Sequence, residues 1–476
     1  MRKSKIVCTL GPATSTLEHI QALVDAGMDV ARINRSHGSA AEQEAMIKNV
    51  RTAARQCGKP VAILVDLQGP KIRLETFTDE KVWLEPGTSF TITTLDVEGN
   101  NQICGTTFKS LPEDCRVGDT ILIDDGNVSL RVKNVTDTDV VCEVIIGGYV
   151  SDHKGINLPG VAVNVPALSE KDREDLAWAI DIGADFVALS FVRSADDIED
   201  VHEIMTQKGV FLPVIAKIEK PQAVDKLQGI VETFDGIMVA RGDLGVEMSL
   251  ESVPMIQKRA IAIARQMAKP VIVATQVLDS MIHSPRPTRA EASDCANAIL
   301  DGADGVMLSG ETSVGKYPIE SVSTMSRIIE TTEQTEGVNI AELSAICQNQ
   351  GGILARAATA IGNSLDARYL VTFTQSGDTA NRLACLRTFI PMIALTPLES
   401  TRNKLALTWG MTSYIIEQAD NTDDMVQVAD EFLSSIGLVD RGDKIVILAG
   451  MPAGISGSIN SVIIHTIGDT GYLSHK

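Results

Sequence analysis

Eight short apolar runs, rich in β-branched residues, recur in the first 310 residues of the chain. Each run leads through a short turn into a helical pattern; the runs are KIVCTLG (5–11), DVARIN (29–34), VAILVD (61–66), DFVALSF (185–191), PVIAKIE (213–219), GIMVAR (236–241), PVIVAT (270–275) and GVMLSG (305–310). Strand–helix alternation predicts parallel strands, and runs that are apolar on both faces predict a sheet covered on both sides. Eight such units predict a (β/α)₈ barrel, with a doubly wound open sheet as the alternative.

The alternation is interrupted between the third and fourth runs. From about residue 70 to 165 the sequence predicts short antiparallel strands joined by turns such as Asp125-Gly126, and therefore a small inserted β domain, which we expect to be a small β-barrel. An insertion at the carboxyl end of a barrel strand hangs over the face where barrel enzymes have their active sites, so this domain is a candidate lid.

A new α/β pattern of about five strands follows residue 340 and predicts a separate C-terminal domain. We therefore expect a barrel formed by 1–69 and 166–340, a β lid at 70–165, and a C-terminal α/β domain at 341–476.

The formal net charge of -20 argues against a protein that binds nucleic acid through its phosphates. Any anionic ligand must then be held by cations gathered locally. The eight cysteines form no C-x-x-C pair, which favours scattered core thiols in a reducing cytoplasm over a disulfide framework or a zinc site. No apolar run is long enough for a signal peptide or a membrane span, so we expect a soluble cytoplasmic protein.

Charged side chains lie at the ends of the fifth and sixth runs. Lys217 and Glu219 alternate along one strand and so share a face, either as a structural ion pair or with Glu219 holding a hard cation while Lys217 faces an anion. Gly242 lets the backbone approach a ligand closely, and Asp243 offers a second carboxylate at the start of a short helix. Two carboxylates completed by water and substrate oxygens suit Mg²⁺.

Other predicted strand ends add further polar groups. They are Arg32, Asn34 and Ser36 after the second run, Asp66, Lys71 and Arg73 after the third, Arg241 after the sixth, and Thr275 after the seventh, where a threonine is either a hydrogen-bonded spacer or a ligand contact. In an acidic chain these residues predict a local cluster of cations that contains a metal site. Phosphoryl transfer needs such an arrangement, because its catalysis is mostly positioning and charge neutralisation.

These residues stand in segments that resemble pyruvate kinase essentially from end to end. The segments that carry the resemblance include KIVCTLGPAT, DVARINRSHG, LQGPKIR, KGINLPG, PALSEKD, VALSFVR, AKIEK, DGIMVARGDLGVE, ATQVLDSMI, PRPTRAE, GVMLSGET and GKYP. The resemblance implies transfer of a phosphoryl group from phosphoenolpyruvate to ADP, with Mg²⁺ (or Mn²⁺) as cofactor, a mobile β lid and a homotetrameric assembly.

The resemblance also implies roles for individual residues. Glu219 and Asp243 would hold the divalent ion, while Lys217 and Arg32 would act on the phosphoryl group. The backbone at Gly242 and Asp243 would receive the substrate carboxylate, and Thr275 would lie where the enolate is protonated. The positions that match the nucleotide side are Asn34, His37, Arg73 and Lys154.

At the end of the third predicted strand the sequence departs from D-T-K-G-P-E-I-R. Many pyruvate kinases carry that pattern and need potassium. Here Leu67 replaces the threonine, Gln68 the lysine and Lys71 the acid, although Asn34, Ser36 and Asp66 of the potassium shell remain. We expect the Lys71 ammonium to replace the potassium charge, to pair with Asp66 or the substrate region, and to make potassium unnecessary. Arg35, where the family usually has phenylalanine, should point away from Arg32 towards a neighbouring helix or subunit.

The segment TQSGDT (374–379) resembles the effector loop of allosteric members. Thr374, Ser376, Gly377 and Thr379 leave room for a phosphorylated effector, but Asp378 at the usual arginine position disfavours fructose 1,6-bisphosphate; an unregulated enzyme is the alternative.

Two other functions are compatible with part of the sequence. An aldolase-type Mg²⁺ lyase would explain Lys217, Glu219 and Asp243 but not the lid or a nucleotide side. A catalytically silent paralogue should have lost one of those three residues.

Overall fold

The computed structural model describes residues 2–161, 166–335, 340, 343, 349–450 and 459–469. The expected domain boundaries at 165 and 341 lie outside these residues. The first elements are β1 (Lys5–Thr9), α1 (Leu17–Ala26), β2 (Val30–Asn34), α2 (Ala40–Cys57) and β3 (Ala62–Asp66). Helix α2 begins where Ser39 and Glu42 form a reciprocal capping box, and it ends at Gly58, whose positive φ closes the last turn.

Eight short strands and one helical turn follow β3. They are β4 (Lys81–Leu84), β5 (Ser89–Thr93), β6 (Ile103–Gly105), α3 (Leu111–Asp114), β7 (Thr120–Ile123), β8 (Val128–Val135), β9 (Asp139–Ile146), β10 (Gly148–Ser151) and β11 (Ile156–Asn157). A two-stranded sheet pairs β10 with β4, and a six-stranded sheet has the order β11-β7-β8-β9-β5-β6. The expectation of purely antiparallel strands was wrong at one edge, where β5 and β6 are parallel.

The chain then returns to alternating helices and strands. These are α4 (Glu170–Asp181), β12 (Phe186–Leu189), α5 (Glu199–Lys208), β13 (Val214–Ile218), α6 (Pro221–Asp225), α7 (Leu227–Thr233), β14 (Gly236–Ala240), α8 (Arg241–Glu247), α9 (Val253–Gln266), β15 (Val271–Ala274), α10 (Arg289–Asp301), β16 (Gly305–Leu308), α11 (Gly310–Ser313) and α12 (Pro318–Gln334).

The C-terminal elements form a third unit. They are α13 (Gln350–Leu365), β17 (Tyr369–Phe373), α14 (Asp378–Ala384), β18 (Met392–Thr396), α15 (Glu399–Lys404), β19 (Met411–Ile415), α16 (Thr422–Ser435), β20 (Lys444–Gly450) and β21 (Ile459–Thr466). Their five-stranded sheet has the order β19-β18-β17-β20-β21, with β21 antiparallel. Short 3₁₀ segments lie at Pro12–Thr14, Ala195–Ile198, Leu250–Ser252, Asp279–Ile282 and Leu405–Leu407.

Eight parallel strands close into the predicted barrel, in the order β1-β16-β15-β14-β13-β12-β3-β2. Strand β3 pairs directly with β12, with Asp66 opposite Ala188, so the eight inserted strands lie outside the barrel wall. Inward side chains such as Val30, Leu64 and Ile215 form a buried interior cluster. Because alternate residues share a face, the residues two positions further along these strands also face the interior, at its carboxyl end.

Candidate active site

Three charged side chains meet at the carboxyl end of the barrel interior. Arg32, Asp66 and Lys217 each stand two residues beyond an interior apolar residue of β2, β3 or β13. Asp66 Oδ2 accepts hydrogen bonds from Arg32 Nε at 2.7 Å and Nη2 at 2.6 Å, and Asp66 Oδ1 lies 3.4 Å from Lys217 Nζ. Burial raises the pKa of Asp66, but the two cations outweigh it and leave the pKa below its ordinary value. Asp66 is therefore a carboxylate that holds both cations in place.

Lys217 is a protonated ammonium with three polar neighbours. Its Nζ lies 2.8 Å from Glu219 Oε1 and donates to Ser190 Oγ at 2.7 Å, besides facing Asp66. Burial would lower the pKa of Lys217, but the carboxylates of Asp66 and Glu219 raise it above its ordinary value. A fixed positive charge at this depth can neutralise an anionic substrate.

Glu219 and Asp243 are the two carboxylates predicted to hold a divalent ion. Glu219 is buried, and its Oε2 accepts the Phe191 backbone N–H at 2.8 Å. Burial raises the pKa of Glu219, Lys217 opposes this, and the Asp243 carboxylate raises it further. Two carboxylates that repel each other fit Mg²⁺, which would remove the repulsion. Within the described ranges no group of three or more His, Cys, Asp or Glu side chains is arranged to hold a metal ion.

The segment after β14 forms the short helix α8 that the sequence predicts. In this structure the Gly242 N–H donates to Thr275 Oγ1 at 2.7 Å, so the amide expected to receive a substrate carboxylate is already engaged. Thr275 and Gln276 both have positive φ, which turns the end of β15 towards α8. Arg241 was expected to contribute to the cluster of cations at the site, but its Nη1 pairs with Asp294 at 2.7 Å.

The residues predicted to face the nucleotide lie on the loop after β2 and on the inserted β unit. Asn34 Oδ1 accepts the Ser36 N–H at 3.1 Å, and His37 is exposed. Arg73 Nη1 donates to the His153 carbonyl at 2.8 Å. On the same unit, Lys154 pairs with Asp124 at 2.7 Å.

Lys71 does not form the ion pair with Asp66 that the sequence suggested. Gly69 has a positive φ, and the turn at Gly69–Lys71 leaves the Lys71 side chain exposed. Asp66 lies inside the barrel, where Arg32 and Lys217 already surround it. Lys71 instead lines a cleft between the barrel and the inserted unit. The same cleft is lined by Asp243, Asn157, Phe191 and Lys220.

Arg35 points away from Arg32, as side-chain alternation predicts. Its guanidinium pairs with Asp175 at 2.6 Å and lies 4.2 Å from the centre of the Trp178 ring, both on α4.

Two residues at the end of β12 belong to the site but received no role from the sequence. Ser190 binds Lys217, and the Phe191 backbone binds Glu219. Ser190 could have been found from its place at the end of the fourth apolar run, but a backbone N–H has no sequence signature. Phe191 also has a positive φ of 55°.

The loop predicted to bind an effector lies between β17 and α14. Thr374 Oγ1 accepts the Gly377 N–H at 2.9 Å, Ser376 is exposed, and Thr379 is buried. Asp378 pairs with Arg382 at 2.6 Å, so its charge is partly balanced within α14.

In the part of the chain that the structure describes, no helix is long and apolar enough to cross a membrane.

The fold and site define a (β/α)₈ barrel protein with buried cations and carboxylates at the carboxyl end of its strands, the end at which barrel enzymes have their active sites. Comparison with known proteins narrows the class. Residues 1–322 match the family model "Pyruvate kinase, barrel domain", and residues 353–465 match "Pyruvate kinase, alpha/beta domain". The chain therefore belongs to the pyruvate kinase family, whose members are phosphotransferases that bind phosphoenolpyruvate and ADP and generally use Mg²⁺.

Individual relatives agree with the family match. A pyruvate kinase of Mycobacterium intracellulare is 54% identical over 468 residues, which cover 98% of this chain and 99% of the relative. A pyruvate kinase of Corynebacterium glutamicum is 53% identical over 468 residues, which cover 98% of this chain and 98% of the relative. The crystal structure of a pyruvate kinase from Cryptosporidium parvum superposes with a TM-score of 0.91 at 32% identity, covering 98% of this chain and 96% of that structure.

Proposed function

We propose that this protein transfers the phosphoryl group of phosphoenolpyruvate to ADP in the last step of glycolysis and does so without potassium. The observation that carries the proposal is the buried Arg32–Asp66–Lys217 cluster beside Glu219 and Asp243. In the reaction the bond between phosphorus and the enol oxygen breaks, a bond to the terminal oxygen of ADP forms, and the enolate takes up a proton to give pyruvate.

Lys217 and Arg32 are the residues that act on the phosphoryl group. Lys217 keeps its proton and places a positive charge beside the group that accumulates negative charge. Arg32 has five N–H donors. Three of them are used, two on Asp66 and one on Thr9 Oγ1, which leaves two for phosphoryl oxygens.

Glu219 and Asp243 would hold the divalent ion next to this cluster. When bound, Mg²⁺ supplies charge neutralisation at the substrate carboxylate and phosphoryl oxygens. The Thr275 hydroxyl accepts the Gly242 N–H and so orients the first turn of α8. We place the methylene carbon of the substrate on the side of the site where Thr275 lies. The Gly242 and Asp243 amides would take the substrate carboxylate once the Thr275 hydroxyl turns away.

Lys71 carries the proposal that potassium is not required. The threonine hydroxyl of the common family pattern is replaced by Leu67, whose side chain is buried and offers no ligand. Lys71 lines the same cleft as Asp243, so its ammonium can supply a monovalent charge close to the substrate region. This is the second of the two placements considered for Lys71, since Asp66 is taken by Arg32 and Lys217.

Asn34, His37, Arg73 and Lys154 form the proposed nucleotide side. Lys154 and Arg73 belong to the inserted unit, so closure of this lid would bring them to ADP and exclude water from the reaction. Asn34 and Ser36 remain as the polar shell around the charge that Lys71 supplies, whereas Asp66, the third residue of that shell, is taken by Arg32 and Lys217.

We further propose a homotetramer, as the family resemblance implies, with Thr374, Ser376, Gly377 and Thr379 available to a phosphorylated effector. Support for the effector loop is its position between the end of β17 and the start of α14.

The test is pyruvate formation from phosphoenolpyruvate and ADP with Mg²⁺, in potassium-free buffer and again after potassium is added. Equal activity in both buffers supports the transferase and its independence of potassium. Activity only with potassium keeps the transferase and removes the role of Lys71. No pyruvate in either buffer would support a silent paralogue.

A further inference from the structure

Arg35 lies between two residues of the proposed site but sends its side chain out of the barrel. Its neighbours Asn34 and Ser36 belong to the nucleotide side and to the shell around the monovalent charge. The Arg35 N–H donates to the Asp66 carbonyl at 3.0 Å, so the backbone here continues the pairing of β2 with β3. A side chain at this position can therefore act on the site only through the loop that carries it.

The Arg35 guanidinium makes three contacts on the outer face of the barrel. It pairs with Asp175, stacks on Trp178 and donates through Nη1 to Gln43 Oε1. Both charged side chains are largely buried, with exposures of 10% for Arg35 and 5% for Asp175. A stacked, paired and buried guanidinium has a fixed position.

The same partners hold the backbone of the loop. Gln43 Nε2 donates to the Asn34 carbonyl at 2.9 Å and to the His37 carbonyl at 2.7 Å. Lys171, which also pairs with Asp175, donates to the Arg35 carbonyl at 2.9 Å. Three carbonyls in four residues are thus fixed by side chains that contact Arg35 or its partner.

Helix α4, which provides Lys171, Asp175 and Trp178, also holds the start of the lid. Asp172 is fully buried, and its Oδ1 accepts the Gly69 N–H at 3.0 Å. Gly69 opens the turn that carries Lys71. One helix therefore contacts both the Asn34–His37 loop and the turn at Gly69 that leads into the inserted unit.

We propose that Arg35 is a positioning residue that fixes the Asn34–His37 loop to helix α4 and so sets the affinity for the nucleoside diphosphate. The inference rests on the proposed function, because that function places Asn34 and His37 on the nucleotide side. Arg35 touches no substrate; it acts through the loop and through Asp175.

The decisive variant is Arg35→Met, which keeps an unbranched apolar stem and removes the guanidinium with its charge and hydrogen bonds. We expect KM for ADP to rise about tenfold while kcat and KM for phosphoenolpyruvate change less than about threefold. Calorimetric titration of ADP should show the same loss of affinity. Hydrogen exchange of a peptide that contains residues 34–39 should become faster. Arg35→Lys keeps the charge but not the planar fork, so it should restore part of the affinity.

The matched control is Arg51→Met. Arg51 stands on α2 and forms a comparable pair with Asp185 at 2.9 Å, at the amino end of the barrel. Its loss should lower the melting temperature without changing KM for ADP.

Asp175→Asn removes the other member of the Arg35–Asp175 ion pair. It tests the positioning role of Arg35 if Arg35→Met does not fold. It should also raise KM for ADP, and the double variant should be no worse than the more affected single variant, because both remove one interaction. If Arg35→Met and Arg51→Met lose stability alike and neither changes KM for ADP or loop exchange, Arg35 is only structural. A wild-type protein that makes no pyruvate would instead refute the proposed function.

Discussion

Asp66 directs one oxygen at Arg32 and the other at Lys217. Both Arg32 hydrogen bonds end on Oδ2, and Oδ1 faces the Lys217 ammonium at 3.4 Å. Strands β2 and β13 are not neighbours in the barrel, so a carboxylate on β3 is what holds their two cations together across the interior.

Replacing Asp66 should therefore disturb both cations at once. Asp66→Asn leaves two buried positive charges undercompensated, and we expect a loss of about 3 kcal/mol in the free energy of unfolding together with a fall in kcat of about a hundredfold. Urea titration and steady-state kinetics measure the two effects. Asp181→Asn is the control, since it removes an exposed pair with Lys208 and should cost less than about 1 kcal/mol. Retention of full kcat in Asp66→Asn would show that Arg32 and Lys217 hold their places without it.

Gly69 is a position where a single methyl group should damage the site. A Cβ there would lie 2.6 Å from Phe191 Cδ2 and 2.8 Å from Ser190 Cβ, the two residues that hold Glu219 and Lys217. We expect Gly69→Ala to lower kcat at least about tenfold, because displaced groups lose their geometry. Gly58→Ala separates this clash from backbone strain, since Gly58 also has a positive φ but open space around it. Equal activity losses in both variants would contradict the clash.

Lys71 should decide the response to potassium. Lys71→Glu restores the acid of the common family pattern, and we expect activity in potassium-free buffer to fall at least about tenfold and to recover partly when potassium is added. Lys48→Glu makes the same charge change at an exposed site on α2 and should have no effect. If potassium does not increase the activity of Lys71→Glu, Lys71 does not occupy the role of the ion.

The Asp430–His465 pair predicts a pH dependence of stability in the C-terminal unit. Burial raises the pKa of Asp430, but His465 Nε2 at 2.6 Å and the Gly468 N–H at 2.8 Å outweigh it and leave the pKa below its ordinary value. A carboxyl with a lowered folded pKa stabilises the protein above its unfolded pKa of about 3.9 and loses that contribution as the pH falls through the folded value.

Asp430→Asn should then cost about 1 kcal/mol at pH 7 and progressively less as the pH falls below about 4. Thermal melts of both proteins across this range measure the difference. Glu431→Gln, on the exposed side of the same helix, should give curves parallel to the wild type at every pH. A constant difference between wild type and Asp430→Asn would mean that the carboxyl is not titrating in this window.

The barrel was predictable because its information is local. Apolar runs of similar length that alternate with helices specify parallel strands. Because alternate residues of a strand share a face, Arg32, Asp66 and Lys217 are placed on the inner face. The parallel pairing of β5 with β6 could not be predicted, because a strand carries no local mark of which neighbour it joins or in which direction.

Side chains that lie together at the carboxyl end of the barrel could be identified from the sequence, whereas backbone groups that bind them could not. Glu219 and Lys217 were evident from the sequence, but the Phe191 N–H that binds Glu219 was not. The pairing of Lys71 with Asp66 was wrong because sequence proximity at a strand end ignores competition from β2 and β13, which are distant in sequence. The alternation of side chains along a strand predicted that Arg35 points away from Arg32. Its partners on α4 could be identified only from the structure.

The pairing of β3 with β12 has a consequence for synthesis of the chain. Asp66 leaves the ribosome long before Lys217, and at about 5–20 residues per second the delay is about 8–30 s. During this interval the inserted unit, which has its own buried core, can already fold. The barrel closes only when β16 reaches β1, with Lys5 opposite Gly305. We therefore expect the inserted unit to fold first in the nascent chain, and the Arg32–Asp66–Lys217 cluster to form only when the later strands of the barrel have been synthesised.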